Sequence, residues 1–345
     1  MAKNKILVSV ISEHTIPNLL LIKEYSNKDL QQLFISTIDM ENQGRSLWIE
    51  RVAKFEDNSV QRIIVDPNNN KLITAKLKEE LPDFEQNNYI VNLTCGTKPM
   101  TLAIFDFFKE PNNKIVYIPI GKNLIEELYP NLSDTEAIIK YRLNLKEYLH
   151  GYGLYFQSNN NLLHNENETF NFFYRFKNKK FSFHRENRIL YSHQEDTAID
   201  RTYYSGRWFE EYVYLKIKKE LKLSEEDISI EVKIYRDPQS PQNDNEFDVM
   251  FTKDNSLYVV ECKASIGSKT TIKDKMDDYL YKLGAITKDF GLRTNSYIFT
   301  LTNLKNIAGN KYENLEKKRK ILGIKRTIDA NDFLQEDFSF INFFK

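Results

Sequence analysis

The chain opens with short apolar runs separated by polar stretches of helical length. Lys5–Ile11, Gln31–Ile35, Gln61–Val65, Asn88–Leu93 and Lys114–Ile118 are the runs, and each ends in polar or turn residues. Unbroken apolar segments of this length predict strands covered on both faces. Between them, Pro17–Tyr25 carries a proline in its first turn, and Lys98–Lys109 follows a Thr-Cys-Gly-Thr turn. Both are helix starts. Strand and helix signals in alternation over residues 1–132 predict an α/β domain with a parallel, Rossmann-like sheet. Such a sheet takes ligands beyond the carboxyl ends of its strands, which directs attention to the loops after the first and fourth runs.

Beyond residue 132 the pattern changes. Ser133 with Glu136 has the spacing of a capping box and predicts a helix over 133–150. Phe170–Lys177 and Lys180–Arg185 alternate with period two around Asn178-Lys179, which predicts a β-hairpin inside a β-rich connector spanning 133–200 with that helix. From 201 to 345 a second α/β domain is expected, layered α/β/α. Its clearest feature is a hairpin: Asn245–Phe251 and Leu257–Ala264 alternate charged and apolar residues about the turn pair Asp254-Asn255. Counting outward from the turn pairs Thr252 with Leu257, Phe251 with Tyr258, Val249 with Val260, Asp248 with Glu261 and Glu246 with Lys263. Phe247, Val249, Val260 and Cys262 fall on the opposite, core-facing side.

Two acidic side chains facing each other across a strand pair destabilise a sheet unless a cation lies between them. A divalent metal meets that need: two carboxylates and a backbone carbonyl suit Mg²⁺ or Mn²⁺ and leave positions for water and a phosphate. Lys263, on the same face, is placed to orient the attacking water or to stabilise charge on phosphorus. A salt-bridged solvent face is the competing reading of the same alternation. Asp248, Glu261-x-Lys263 on successive strands resembles the PD-(D/E)xK nuclease superfamily, although Phe247 replaces the leading proline. Gly206-Arg207-Trp208-Phe209-Glu210 is similar to the G-x-W-x-E helix of one branch. The resemblance implies catalysis by Glu210, Asp248, Glu261 and Lys263, with Asp248, Glu261 and Glu210 around the metal. It also marks Lys282 as a residue near phosphate. Downstream, the basic stretch Lys305–Arg326 is a local positive field open to nucleic-acid backbone.

The other candidate lies in the first domain. Thr94, Cys95, Gly96, Thr97 and Lys98 follow the fourth strand and precede a helix, so backbone N–H groups, two hydroxyls and a lysine are expected to face an anion in the strand-end crevice. Neither the Walker spacing nor G-x-G-x-x-G is present. The run Thr94-Cys95-Gly96-Thr97-Lys98-Pro99-Met100 resembles the signature of CARF domains, the CRISPR-associated Rossmann-fold sensors of cyclic oligoadenylates. That resemblance brings in the strand-one loop, from Ser9 through Ser12, Glu13 and His14 to Thr15, as a second wall of the ligand site. Together the two resemblances imply an allosterically activated effector nuclease of type III CRISPR defence. Its activator would be a cyclic oligoadenylate, cyclic tetra-adenylate by family frequency, and its substrate RNA, DNA or both, with single strands and nicking favoured. A ligand of repeated AMP units presents one face twice, so a homodimer with two-fold symmetry is expected.

Composition adds limits. In 345 residues, Lys plus Arg and Asp plus Glu both number 49, so nucleic acid must be met by a local patch rather than by net charge. Two cysteines in unrelated contexts form no disulfide framework or zinc spacing, and no apolar stretch is long enough to span a membrane, which together predict a cytoplasmic protein. Two rival functions fit the same residues: a ligand-independent DNA-processing nuclease, and a non-catalytic cyclic-nucleotide sensor.

Overall fold

A computed structural model describes residues 4–26, 30–56, 59–130, 137–179, 203–266, 272–304 and 311–344. The chain divides into two compact units, one of residues 1–155 with Gly291–Arg293, the other of residues 156–290 with 294–345.

The first unit is built on a sheet of β1 (Asn4–Val10), β2 (Gln31–Ser36), β3 (Val60–Ile64), β4 (Asn87–Asn92), β5 (Lys114–Tyr117), β6 (Leu124–Tyr129) and β7 (Ala137–Ile138). Their order is β3-β2-β1-β4-β5-β6-β7. Strands β1 to β5 pair in parallel, and β6 and β7 add antiparallel edges. Leu7, Val8 and Val10 of β1 are fully buried, as expected of a central strand covered on both faces. The strand order reverses direction between β1 and β4, and the two loops leaving their carboxyl ends lie side by side there. A buried amide relay pins them. Asn18 donates to the Val10 carbonyl (2.8 Å), Asn92 donates to Asn18 Oδ1 (2.8 Å), and the Thr94 N–H donates to Asn92 Oδ1 (3.1 Å).

The second sheet runs β13-β12-β11-β10-β9-β8, with β8 Tyr155–Gln157, β9 Ile228–Tyr235, β10 Asn245–Lys253, β11 Ser256–Lys263, β12 Thr294–Thr300 and β13 Arg326–Ile328. The neighbours of β10 are antiparallel, whereas β11, β12 and β13 run parallel. The helix Trp208–Leu221 packs on this sheet, and Glu166–Asn178 packs on that helix.

Two expectations are corrected. The helix placed at 133–150 begins only at Leu145, because Ala137–Ile138 is drawn out as a strand against β6 and the reciprocal cap is made by Asn144 and Glu147. Ser133 and Glu136 lie outside the described residues. The hairpin strand at 170–177 is instead the helix Glu166–Asn178, started by a capping box of Asn165 and Glu168. Aromatic residues at 170, 172, 174 and 176 imitate a strand, yet the side chains buried are Thr169, Phe173 and Phe176, one helical face. Lys180–Arg185 lies outside the described residues. Of the described residues in the expected connector, 137–155 falls in the first unit and 156–179 in the second. Among the described residues no helix is long and apolar enough to cross a membrane.

Phe173 stacks on Tyr212 with ring centroids 3.5 Å apart and planes 4° from parallel, locking the two helices together. Phe173→Ala is expected to destabilise the second unit by about 3–5 kcal/mol, read by urea denaturation. A loss below about 1 kcal/mol would show that the ring is not a core element.

Candidate functional site

The hairpin turn comes first, because it sets everything beyond it. Asp254 and Asn255 both take left-handed φ values, 51° and 60°, as a two-residue turn matched to strand twist requires. Lys253 faces Ser256, and the ladder continues through Thr252–Leu257 and Phe251–Tyr258 to Val249–Val260. There it stops. Asp248 Oδ2 accepts the Cys262 N–H at 2.6 Å, so a carboxylate takes the place of the next backbone acceptor and the strands part. Glu246 does not reach Lys263: it pairs with Lys233 of β9 and is exposed.

Lys263 fills the fork. Its Nζ lies 3.2 Å from Asp248 Oδ2, 2.7 Å from Glu261 Oε1 and 2.9 Å from the Cys262 carbonyl. Two carboxylates and one backbone carbonyl therefore surround a single positive charge, with side-chain exposures of 17% for Asp248 and 11% for Glu261. Burial alone would lower the pKa of Lys263, but the two carboxylates outweigh it and hold the ammonium well above its ordinary range. Glu261 is pushed upward, first by burial and then by the charge of Asp248. The ammonium packs 5.4 Å over the ring of Tyr279, on the helix Ile272–Ile286. Lys282 of that helix is exposed and adds a favourable field at Glu261.

Glu210, in the first turn of the helix Trp208–Leu221, completes the predicted set. Burial and then Asp248 raise its pKa to about 8, with Arg207 and Lys263 acting against them. Arg207 was legible in the motif but carried no role. It is 4% exposed and bonds three carboxylates: Glu210 at 3.3 Å, Glu211 at 3.3 Å and Glu231 at 2.9 Å. Glu231 stands opposite Asp248 between the pairs Phe247–Val232 and Val249–Ile230, with a left-handed φ of 52°. Strain at a non-glycine strand residue beside this cluster is of the kind stored at functional sites. Among the described residues no three His, Cys, Asp or Glu side chains converge as a ready-made metal cage. The oxygen set around the Lys263 ammonium nevertheless has the chemistry a hard divalent cation takes. Asp248, Glu261 and the Cys262 carbonyl are the groups that could hold one, with Glu210 adjoining.

The basic helix Lys311–Ile321 spends part of its charge internally: Lys318 pairs with Asp277 at 2.6 Å and Arg319 with Glu316 at 2.9 Å. Lys317 and Lys320 are exposed, and 305–310 lies outside the described residues.

In the first unit, the carboxyl ends of β1 to β4 open on a cavity of about 500 Å³. Ser12, Thr94, Cys95, Gly96 and Thr97 line it, with Glu13 and His14 beside Ser12. Thr15 and Lys98 stand outside the lining: the Thr15 hydroxyl donates to the Gly151 carbonyl at 2.5 Å, and Lys98 is exposed. Ser9 is buried behind it. The two hydroxyls expected to face an anion are committed elsewhere. Thr94 Oγ1 donates to Asn92 Oδ1 (2.5 Å) and accepts from the Ile118 N–H (2.8 Å). Thr97 caps the helix Lys98–Phe108 and donates to the Pro67 carbonyl. Gly96 is obligatory, with φ 98° and space that would put a Cβ 2.8 Å from Val10. The Cys95 thiol donates to the His14 carbonyl (3.2 Å) and joins the two loops; burial pushes its pKa to about 11, so it is no thiolate. Burial lowers His14, and its Nδ1 has no hydrogen-bond partner among the described residues. Leu292 and Arg293 also line the cavity, far along the chain from Tyr152 and its other walls, and no spacing in the sequence could have shown it.

An end-of-sheet ligand cavity followed by a carboxylate–lysine hairpin defines a sensor domain joined to a nuclease domain. The comparisons agree. Residues 6–148 match the Card1 CARF domain and residues 197–340 the Card1-like endonuclease domain. The chain is a CARF-domain endonuclease of the Card1 type, a phosphodiester hydrolase. Solved structures share the fold. Protein VC1899 from Vibrio cholerae superposes with a TM-score of 0.75 at 17% identity, covering 96% of this chain and 95% of that one. Can2 from Sulfobacillus thermosulfidooxidans, solved with cyclic tetra-adenylate, gives 0.71 at 20% identity, covering 96% and 97%. A type III CRISPR defence DNA nuclease activated by cyclic oligoadenylate gives 0.57 at 14% identity, covering 87% of this chain and 46% of that one. No curated protein matches.

Two outcomes follow for the protein without metal. Asp248→Ala strands the Cys262 N–H and is expected to cost about 1–3 kcal/mol, whereas Asp248→Asn keeps an acceptor and costs less; equal losses in chemical denaturation would contradict the N–H bond. Glu210 binds its proton more tightly folded than unfolded, so its stabilising contribution is complete below the usual 4.5 and disappears as pH rises through about 8. Glu210→Gln, which cannot ionise, is expected to gain stability relative to wild type across that rise in chelator. A pH-independent difference would refute the shift.

Proposed function

We propose that the protein is a cyclic-oligoadenylate-activated endonuclease of type III CRISPR defence. In this reading it depends on Mg²⁺ or Mn²⁺, acts as a cytoplasmic homodimer, and cuts RNA, DNA or both without sequence stringency, favouring single strands. The observation that carries the metal reading is the Lys263 ammonium held by Asp248, Glu261 and the Cys262 carbonyl. A place that concentrates this much negative charge on one cation suits a divalent ion better than an amine. When bound, such an ion supplies Lewis acidity toward the scissile phosphate and an acidified water. Asp248 and Glu261 would hold it in place, and Glu210, tethered by Arg207, would add negative charge at the edge once the ion favours its deprotonation. Lys263 donates to a non-bridging phosphate oxygen and stabilises the charge that develops there.

The regulatory half rests on the cavity of the first unit and on the solved complex of Can2 with cyclic tetra-adenylate. A two-fold ligand bound between two copies would favour one arrangement of the dimer and so couple binding to cleavage. The endonuclease match argues against a sensor without catalysis.

Labelled single-stranded RNA and DNA incubated with Mn²⁺ or Mg²⁺, with and without cyclic tetra-adenylate, is the test. Cleavage is expected to require metal and to rise with ligand; equal rates with and without ligand would favour the ligand-independent nuclease. Lys263→Met is expected to lower kcat about 10²–10³-fold, and Glu261→Ala to abolish cutting. In thermal unfolding, Mn²⁺ at a hundredfold excess over Kd is expected to stabilise wild type by about 2.7 kcal/mol and Glu261→Ala hardly at all. An equal rise in both would place the ion elsewhere.

A further inference from the structure

The sensor cavity holds a buried cation, Arg293, that makes no ion pair with any carboxylate among the described residues, although Glu13 and Asp39 also line the cavity. Arg293 is 6% exposed and lines the cavity. Its guanidinium donates from Nη1 to Asn123 Oδ1 (3.2 Å) and from Nη2 to the carbonyls of Pro119 (3.3 Å) and Lys122 (2.6 Å). All three acceptors are neutral, and no carboxylate pairs with Arg293 among the described residues. Three of its five N–H donors are used. The Nε–H and one Nη1–H have no acceptor among the described residues. Burial lowers its pKa, as expected of a charge taken out of water without a counter-ion. A desolvated arginine with spare donors is poised for an anion, and its planar fork matches the two non-bridging oxygens of a phosphodiester.

The placement of Arg293 in the chain gives it a second property. Gly291–Arg293 is counted with the first unit, although the residues on either side of it belong to the second. The seat of this tripeptide admits only glycine at its first position: φ is 85°, and a Cβ there would lie 1.9 Å from Tyr152 Oη. The next residue, Thr294, begins β12, whose Ile298 and Thr300 pair with Glu261 and Lys263 of β11. One residue at the cavity is therefore peptide-bonded to the strand that flanks the carboxylate–lysine cluster.

We propose that Arg293 is a phosphate-binding residue of the sensor cavity, and that through it ligand occupancy is felt at β12. The proposal rests on the cyclic-oligoadenylate reading of that cavity. Ligand phosphate supplies the missing counter-charge, so the bound state holds Gly291–Arg293 more firmly than the free state does. A ligand can shift an equilibrium only by such a difference in contacts between states.

The test uses the full-length protein, with affinity for cyclic tetra-adenylate measured by calorimetry at two salt concentrations and cleavage measured at saturating ligand. Arg293→Met is expected to weaken binding at least tenfold and to flatten its salt dependence, which loss of packing alone would not do. Arg293→Lys keeps the charge without the fork and is expected to fall between the two. Gly291→Ala leaves the guanidinium but displaces its seat, and is expected to lose activation even when ligand is saturating. Wild-type binding with Arg293→Met or Arg293→Lys matching it in affinity and salt slope would overturn the proposal alone. Wild type that binds no cyclic oligoadenylate would overturn the ligand reading, and the proposal with it.

Discussion

The structure turns on two carboxylates that cannot stand together without a cation. Asp248 and Glu261 belong to neighbouring strands of one hairpin, and a backbone ladder carried one residue further would have set them face to face with nothing between. Instead the ladder ends, Asp248 takes the Cys262 N–H, and the opened fork admits an ammonium bonded to three oxygens. The upward shifts of Glu210 and Glu261 come from the same cause, burial in the field of Asp248. Arg207 sits behind this group and neutralises a second rank of acids, Glu211 and Glu231. The cluster is thus built as alternating charge, and removing either cation, Lys263 or Arg207, leaves buried carboxylates without their partner.

The two sites follow opposite electrostatic rules. Around the fork, formal charges face one another at hydrogen-bond distance. Around the sensor cavity the hydrogen bonds that pin the loops are neutral: the Asn18–Asn92–Thr94 relay and the bond from the Cys95 thiol to the His14 carbonyl tie the loops after β1 and β4 together. Within that framework Arg293 stands out, and so does His14 Nδ1, which has no hydrogen-bond partner among the described residues. A cavity pinned in this way, with few unmet valences, is well prepared to recognise an anionic, base-bearing ligand, because little ordering remains to be done on binding.

How much of this was visible in the residues depends on the range of the interaction. The hairpin was legible because its turn is local: Asp254-Asn255 dictates the register, and every pair from Thr252–Leu257 to Val249–Val260 follows. The end of that ladder at Asp248 was not, since it depends on a side chain outbidding a backbone carbonyl. The five parallel strands of the first unit stood out as apolar runs within a residue or so of their observed ends. The helix Glu166–Asn178 was hidden by aromatic residues at alternate positions, where helical and strand spacings coincide over a short window. Thr94 and Thr97 were recognisable as loop hydroxyls, but their long-range commitments, to the Ile118 N–H and the Pro67 carbonyl, are tertiary. Arg293 had no sequence signal at all, since only folding brings it to residues so far behind it in the chain.

The account stands or falls on whether the oxygen cluster around Lys263 takes a divalent cation. Anomalous difference density from a crystal soaked in Mn²⁺ measures this directly. The account predicts one peak within about 2.0–2.6 Å of carboxylate oxygens of both Asp248 and Glu261. A map with the ammonium still bonded to both carboxylates and manganese only at unrelated surface sites would contradict it.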